Sequence, residues 1–201
     1  VDYDAYLELM AEWCRKSGVI WGQVIWGHER IMINDNNGNM IQKSDGTNTW
    51  VWGYDYENRQ TSYDAPGTTD DATYVYSASG NRIQKTVNSV TEKYILDGAN
   101  IIADYNLVSG IWNLTASYVT PFLDQNLLTV QVGDKWYYMQ DGLGSVRSIM
   151  KGNSEKKAYD YYAFGEMRDE KTFGNLQGFY NRYKFTSREW DAESANYYYR
   201  A

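Results

Sequence analysis

The sequence predicts a mainly β fold, a curved antiparallel sheet of hairpin repeats with one amphipathic helix at the N-terminus. Aromatic residues make up 16% of the 201 residues and 20 of them are Tyr, a composition that favours pleated strands. The 17 Gly residues recur between these strands, where tight turns need a residue that adopts positive φ without strain. The length is that of one domain, and the single Cys excludes a disulfide framework within the chain.

The N-terminal segment departs from the β pattern. Large apolar residues recur there at three- and four-residue steps, which predicts an amphipathic helix over residues 3–17. A free helix of this length is marginally stable and would expose a large apolar side. We therefore expect it to pack against another subunit, another part of a larger parent protein or the chain's own sheet, through Tyr3, Leu7, Met10 and Trp13.

From residue 34 onward, a repeat of about 20 residues organises the chain, a length that holds two strands and two turns. In segments 54–60 and 76–82 an aromatic residue is followed by Asp or Ser, and Gly or Asn comes four residues after the aromatic one. We expect the Asp or Ser side chain to turn the backbone and Gly or Asn to take the left-handed position. The candidate turn residues are Tyr54, Asp55, Asn58, Arg59, Tyr76, Gly80, Asn81, Arg82, Asp97 and Gly98.

These segments resemble the repeats of the RHS or YD-repeat family. The C-terminal third resembles the RHS-associated core of that family in four segments that follow the family's order, residues 137–147, 159–166, 185–191 and 197–201. The core-motif residues are Asp141, Leu143, Gly144, Ser145, Arg147, Phe164, Gly165, Arg188, Glu189 and Asp191. The resemblance covers residues 34–201 and implies a fragment of a sheet that curls into a hollow shell or spiral, in a secreted or cell-surface protein.

The resemblance also divides the chain into three regions. Residues 1–33 hold the predicted helix and a Trp-rich segment, residues 34–129 hold YD/RHS-like β-hairpin repeats, and residues 130–201 hold the RHS-associated core-like region. Ser187 stands where the family usually has Gly, and the chain stops at Ala201. We therefore expect neither a self-cleavage residue nor a toxin domain within the chain.

Charge and composition limit the partners that we expect. The net charge is −7 and no Lys/Arg cluster is present, which argues against a nucleic acid because counterion release requires several cations on one face. No apolar run reaches the roughly 18 residues of a membrane span. The expected partners are further copies of the chain, as in a homo-oligomer, or the rest of a larger RHS protein, with surface carbohydrate as a further candidate.

Catalytic and metal-binding motifs are weak. His28 and Cys14 are single residues in unrelated segments, so we expect neither a catalytic triad nor a His/Cys metal site, and no cofactor. Segment 142–147 superficially suggests a nucleotide loop, and segment 34–39 a Ca²⁺ loop, but turn chemistry explains both more simply.

The sequence thus favours a non-enzymatic scaffold that self-assembles or forms part of a larger RHS shell around a cargo. A structural subunit of an extracellular filament and a carbohydrate-binding adhesin are the alternatives. A filament would bury the edges of its sheet, and an adhesin would expose a row of aromatic rings.

Overall fold

The computed structural model describes residues 31–67, 70–176 and 178–200, and these residues form strands and turns. The chain divides into two compact units, one ending at Tyr74 and the other spanning Val75–Arg200. The helix predicted over residues 3–17 lies outside the described residues, and so do the Trp-rich segment and the candidate contact residues Tyr3, Leu7, Met10 and Trp13.

The first unit is a run of antiparallel strands in chain order. They are β1 (Ile31–Asn34), β2 (Met40–Ser44), β3 (Thr49–Tyr54), β4 (Gln60–Asp64) and the start of β5 (Ala72–Tyr76). Trp52 and Tyr63 face each other across β3 and β4 with ring centroids 5.5 Å apart, and both are buried. The pair belongs, with Ala65, Ala72 and Tyr74, to the buried residues of the described part of this unit.

The second unit repeats the same meander over more strands. They are β6 (Arg82–Val87), β7 (Val90–Asp97), β8 (Asn100–Val108), β9 (Ile111–Val119), β10 (Leu128–Gln131), β11 (Asp134–Gln140), β12 (Val146–Lys151), β13 (Ser154–Tyr161) and β14 (Met167–Thr172), each antiparallel to the next. A short 3₁₀ helix (Phe185–Ser187) and a small hairpin, β15 (Glu189–Asp191) and β16 (Asn196–Tyr198), follow.

The prediction of a mainly β, antiparallel fold of consecutive hairpins is confirmed. Over residues 31–67, 70–176 and 178–200, the 3₁₀ helix of three residues is the sole helical element. Within those ranges, no helix has the length and apolar character needed to cross a bilayer. The strand-and-turn composition that the repeat predicts from residue 34 onward is therefore present throughout the described part.

One turn type recurs at the repeat motif. In the turn that begins at Asp55, the Asp55 N–H donates to Arg59 O at 2.9 Å and the Asn58 N–H donates back to Asp55 O at 3.0 Å. The Asp55 carboxylate accepts the N–H groups of Glu57 and Arg59. The same backbone pattern recurs in the turns that begin at Asp35, Ser77, Asp141 and Tyr162.

A residue with positive φ occupies the fourth position of each of these turns, as the sequence predicts. Gly80 has a φ of 82° and Gly165 a φ of 88°, while Asn58 reaches 62°. Gly98, with a φ of 60°, lies in a different, two-residue turn between β7 and β8, where Asp97 pairs with Asn100. The predicted positive φ of Gly80, Gly98 and Gly165 is therefore confirmed, although these glycines serve two turn types.

The core of the second unit lies between one face of the sheet and the C-terminal segment 178–200. Phe179 stacks on Trp136 with ring centroids 4.3 Å apart, and Tyr183 packs edge-on against Tyr118 at 5.5 Å. The Val146 N–H donates to Lys184 O at 3.0 Å, which ties the segment to the sheet backbone. Eleven buried residues form this cluster: Tyr94, Ile101, Ala116, Tyr118, Trp136, Tyr138, Val146, Ile149, Tyr159, Phe179 and Tyr183.

Candidate functional site

The most heavily charged part of the second unit is also buried. Arg82, at the start of β6, donates through Nη1 to Asp191 Oδ2 at 2.6 Å and through Nη2 to Asp191 Oδ1 at 2.9 Å. Nη2 also donates to Glu189 Oε2 at 2.9 Å. The side chain of Arg82 is 1% exposed. A turn-motif residue and two core-motif residues more than 100 positions apart therefore meet in one ion-pair cluster.

Arg182 is the second cation of the cluster, and it lies outside the segments that the sequence singles out. Its guanidinium donates to Asp104 Oδ2 at 2.9 Å, to Glu189 Oε2 at 3.2 Å and to Glu92 Oε2 at 3.3 Å. The Tyr118 hydroxyl donates to the same Asp104 oxygen at 2.5 Å. Arg182 thus links β7 and β8 of the sheet to β15 of the covering segment.

Lys85 completes the cluster from the interior of β6. Its ammonium donates to Asp191 Oδ1 at 3.1 Å and to Glu193 Oε2 at 3.3 Å. Aromatic faces lie beside the two guanidinium groups, with Arg82 4.4 Å from the ring centroid of Tyr198 and Arg182 4.3 Å from that of Tyr94. Such contacts favour Arg over Lys because the planar guanidinium stacks on a ring while its edge binds carboxylates.

Burial and the neighbouring cations shift the pKa values of the cluster's carboxyl groups in opposite directions. Burial raises the pKa of Asp104, and Arg182 lowers it by less, so the pKa stays above its ordinary value. Burial also raises the pKa of Asp191, but the charges of Arg82 and Lys85 outweigh it and hold that pKa below its ordinary value. Glu92 behaves like Asp191, with Arg182 and Lys85 outweighing burial.

The ion pairs of the buried cluster indicate a structural role for its charged side chains. Each cation contacts at least two carboxylates, and removal of one partner would leave a buried charge uncompensated. Over residues 31–67, 70–176 and 178–200, no group of three or more His, Cys, Asp or Glu side chains has an arrangement that could hold a metal ion. The cluster is therefore suited to fixing segment 182–193 on the sheet.

The repeat-turn residues of the first unit form a separate, local arrangement. Arg59 Nε donates to Asp55 Oδ2 at 2.7 Å, and Asn58 Oδ1 accepts a hydrogen bond from the Asn39 amide of the preceding repeat. The Tyr54 hydroxyl donates to Met40 O at 3.2 Å. The repeats that contain Asn39 and Asn58 are therefore hydrogen-bonded to each other through their turns.

The repeat-turn residues of the second unit lie near the C-terminal hairpin. The ring centroid of Tyr76 is 6.1 Å from that of Tyr198, whose hydroxyl donates to Gly80 O at 3.4 Å. The Asn81 amide donates to Gly98 O at 3.5 Å, at the next turn. The turn of the motif thus positions Arg82, which follows it directly.

Several core-motif residues hold the 3₁₀ helix against the turn of residues 141–145. The Asp141 carboxylate accepts the N–H groups of Leu143 and Ser145. Ser145 is buried and its hydroxyl accepts the Thr186 N–H at 3.0 Å, while Gly144 O accepts the Ser187 hydroxyl at 2.8 Å. Ser187 thereby makes a specific contact with the turn.

Of the remaining core-motif residues, Gly165 is buried, Arg188 is half-buried, and Leu143, Arg147 and Phe164 are exposed. Arg147 pairs with Asp160 at 2.8 Å, and Arg188 with Asp124 at 3.2 Å. Gly165 O accepts the Tyr197 hydroxyl at 3.1 Å, whereas the preceding residue, Phe164, is 96% exposed. Leu143 is exposed as well. Among the core-motif residues, Glu189 and Asp191 are the ones that join the buried cluster.

Antiparallel hairpins with recurring turns that place Gly or Asn at positive φ, and a covering C-terminal segment, define an RHS-like β fold. Solved structures support this class. The chain superposes on part of the Photorhabdus luminescens Tc holotoxin pore with a TM-score of 0.53 and 12% identity, over 85% of this chain and 11% of that one. The TcdB2-TccC3-Cdc42 crystal structure gives a TM-score of 0.52 and 12% identity, over 89% of this chain and 8% of that one. At this identity the similarity establishes the fold alone.

The sequence comparison points to particular relatives. The chain is 33% identical over 181 residues to the tRNA3(Ser)-specific nuclease WapA of Bacillus spizizenii, and 33% identical over the same length to the tRNA nuclease WapA of Bacillus subtilis. These alignments cover 89% of this chain but 8% of each relative, so the chain spans a small part of their length. No family model matches the chain.

These relatives correct three expectations. Proteins that share a third of their aligned residues with this chain are named as tRNA nucleases. The prediction of a non-enzymatic scaffold, with its filament and adhesin alternatives, is therefore wrong. The predictions of no enzymatic activity and of no nucleic-acid partner are overturned by the same finding.

Proposed function

We propose that this chain is a segment of a toxin that cleaves tRNA. The observation that carries the proposal is the 33% identity, over 89% of the chain, to two proteins named as tRNA nucleases. Since the chain spans 8% of their length, the activity and the tRNA substrate are proposed for the whole protein to which the chain belongs. A secreted or cell-surface location is part of the proposal, and the fold shared with a Tc holotoxin supports it.

Within that protein, we propose that residues 34–129 are YD/RHS-like repeats and residues 130–201 the RHS-associated core-like region, preceded by a separate region of residues 1–33. The turn and core motifs are proposed to maintain the segment's folded state, on which the toxin depends. The buried cluster supports this role because Arg82 of a repeat turn binds Glu189 and Asp191 of the core motif.

Cleavage of purified tRNA by the whole protein tests the proposal. The full-length protein that contains this chain is incubated with total tRNA, and the products are separated on denaturing gels and sequenced at their ends. We expect discrete tRNA fragments and intact 5S rRNA in the same reaction. Intact tRNA, with protein that is folded by circular dichroism, would contradict the proposal.

A pair of variants tests the role of the segment. Arg82→Met breaks the buried cluster, whereas Arg147→Met breaks a surface pair in the same unit. We expect Arg82→Met to lose nuclease activity together with hydrogen-exchange protection over residues 182–193, and Arg147→Met to keep both. Full activity in an Arg82→Met protein that has lost this protection would separate the cluster from the function.

A further inference from the structure

A cleft in the second unit lies beside the ion-pair cluster. Its volume is about 420 Å³, and its walls come from strands β7, β8 and β9, the turn after β10 and residues 178–182. That volume is sufficient for a side chain or a small ligand.

Apolar side chains surround the entrance of the cleft. Leu114 is 58% exposed, Val132 68% and Tyr180 42%. The position of Tyr180 is fixed, because the Gln131 amide donates to Tyr180 O at 2.9 Å and its carbonyl accepts the Tyr180 N–H at 3.0 Å. The entrance therefore presents a preformed apolar surface, with an aromatic ring on one side.

Val132 is strained where it stands. It precedes Gly133 in a two-residue hairpin turn, and its φ is 52°, in the left-handed region. Asn or Asp is the usual residue at this position, since a β-branched side chain is disfavoured at positive φ. Strained residues cluster at ligand sites, and here the strain keeps an apolar side chain at the entrance of a cleft.

The floor of the cleft is acidic. Glu92 is 27% exposed at its side chain, and the Tyr94 hydroxyl and Arg182 both bind its Oε2 atom. Asp104 is 4% exposed, and its Oδ1 accepts no hydrogen bond from the described residues. Arg182 lies between the two carboxylates but also binds Glu189, so negative charge is in excess on the floor.

We propose that this cleft binds the cationic side chain of an arginine or lysine residue presented by a partner polypeptide. The aliphatic stem packs against Leu114 and Val132, and the face of Tyr180 lies beside the charged end. The cation is bound by the accessible oxygen of Glu92, and Asp104 below it adds to the negative potential. The site is independent of the proposed tRNA cleavage, since a cation site repels phosphate.

NMR titration of the ¹⁵N-labelled 201-residue chain tests the site. The probes are a capped Gly-Arg-Gly peptide, its citrulline analogue, which has the same shape without the charge, and free n-butylguanidinium. We expect the arginine peptide to shift amide resonances around Leu114, Val132 and Tyr180, and the citrulline peptide to bind about tenfold more weakly. Equal binding of the two peptides, or no binding of either, would overturn the proposal. Binding of n-butylguanidinium as tight as that of the peptide would overturn its assignment to a polypeptide.

Two variants test the site, and the unfolding temperature of each is measured beside its affinity because Glu92 also pairs with the buried Arg182. Glu92→Gln removes the accessible charge and is expected to weaken the binding of the arginine peptide about tenfold. The control is Glu155→Gln, at an exposed position on β13, which should leave the affinity for the peptide unchanged. Val132→Asn relieves the strain at the entrance, so it should raise the unfolding temperature and still weaken binding. Unchanged affinity in both Glu92→Gln and Val132→Asn would exclude this cleft as the site.

Discussion

The hairpins of residues 31–74 and those of residues 75–200 share their turn chemistry but bury their side chains to different extents. Strands β1 and β2 are half-buried along their whole length, and Trp52 and Tyr63 are the large buried pair in the described part of the first unit. In the second unit, Trp136, Val146 and Ile149 have no exposed surface. The difference comes from segment 178–200, which covers one face of the second unit's sheet.

The comparison shows what a hairpin repeat can and cannot supply. Hydrogen bonds within each turn define the hairpins of both units, but one sheet needs a second layer to bury its apolar face. In the second unit the covering layer is short and carries Arg182, Glu189 and Asp191, so ion pairs add to the contacts of its aromatic rings. Perturbing the cover should affect the second unit and leave the first unchanged.

The largest expected effect follows from removal of Arg82. Arg82→Met leaves Glu189 and Asp191 with less compensation in a buried site, and we expect the free energy of unfolding of the second unit to fall by about 4 kcal/mol. Urea denaturation followed by Trp fluorescence measures the loss, and hydrogen exchange locates it in residues 182–193.

The matched control is Arg147→Met. Arg147 pairs with Asp160 while both side chains are more than a third exposed, and such pairs contribute little to stability. We expect its urea midpoint to equal that of the parent protein. Equal losses of unfolding free energy in the two variants would show that the buried Arg82 cluster stabilises the protein no more than a surface ion pair does.

A second effect concerns two glycines that share positive φ but differ in surroundings. A Cβ at Gly98 would meet no atom within 4 Å, whereas one at Gly165 would lie 2.6 Å from Phe185 Cδ1. We expect Gly98→Ala to cost about 1 kcal/mol through backbone strain, and Gly165→Ala about 3 kcal/mol because the 3₁₀ helix must also move. Thermal unfolding of the two variants measures both costs, and equal costs would mean that Phe185 adjusts freely.

The turns are the part of this fold that the sequence predicts best. Asp55 and Asp141 act through hydrogen bonds to residues two and four positions away, so neighbouring residues suffice to recognise them. Arg82 and Asp191 are different, since they are 109 positions apart and each belongs to a motif that has its own local explanation. A single sequence carries no signal for such a pairing, because the partner depends on how many strands intervene.

Arg182 shows the same limit more sharply. It lies between Asn181 and Tyr183 in a segment that no motif marks, yet it contacts three carboxylates from three strands. The predictions about activity failed for another reason. Charge and motifs describe the residues at hand, whereas the relatives are about twelve times as long as the aligned region, and their names refer to whole proteins.

Acid should weaken the second unit through its ion-pair cluster. The pKa of Asp191 is held below its ordinary value of about 4, so its ionised form stabilises the fold above that pH. As the pH falls through the folded-state pKa, this stabilisation is lost. We expect the free energy of unfolding to decrease below pH 4, measured by urea titration at each pH.

Two variants test whether Asp191 is the source of this acid dependence of stability. Asp191→Asn should flatten the decrease, because the group can no longer take up a proton. Asp134→Asn, which breaks a half-buried pair with Lys151 outside the cluster, should retain it. An undiminished decrease in Asp191→Asn would place the acid sensitivity outside the cluster.

The smallest expected effect on stability concerns the turn type that the two units share. The turn at Ser77 has the backbone hydrogen bonds of the turn at Asp55, but the Ser77 hydroxyl contacts Ser79 Oγ where Asp55 accepts two backbone N–H groups. Ser77→Asp should therefore raise the free energy of unfolding of the second unit by about 0.5 kcal/mol, since a carboxylate can accept the N–H groups that the hydroxyl leaves to water. Ser79→Asp adds the same charge two residues later, at a position without this geometry, and should give no gain. A loss of stability in Ser77→Asp, measured by urea unfolding beside that control, would mean that the turns of the two units differ in more than this side chain.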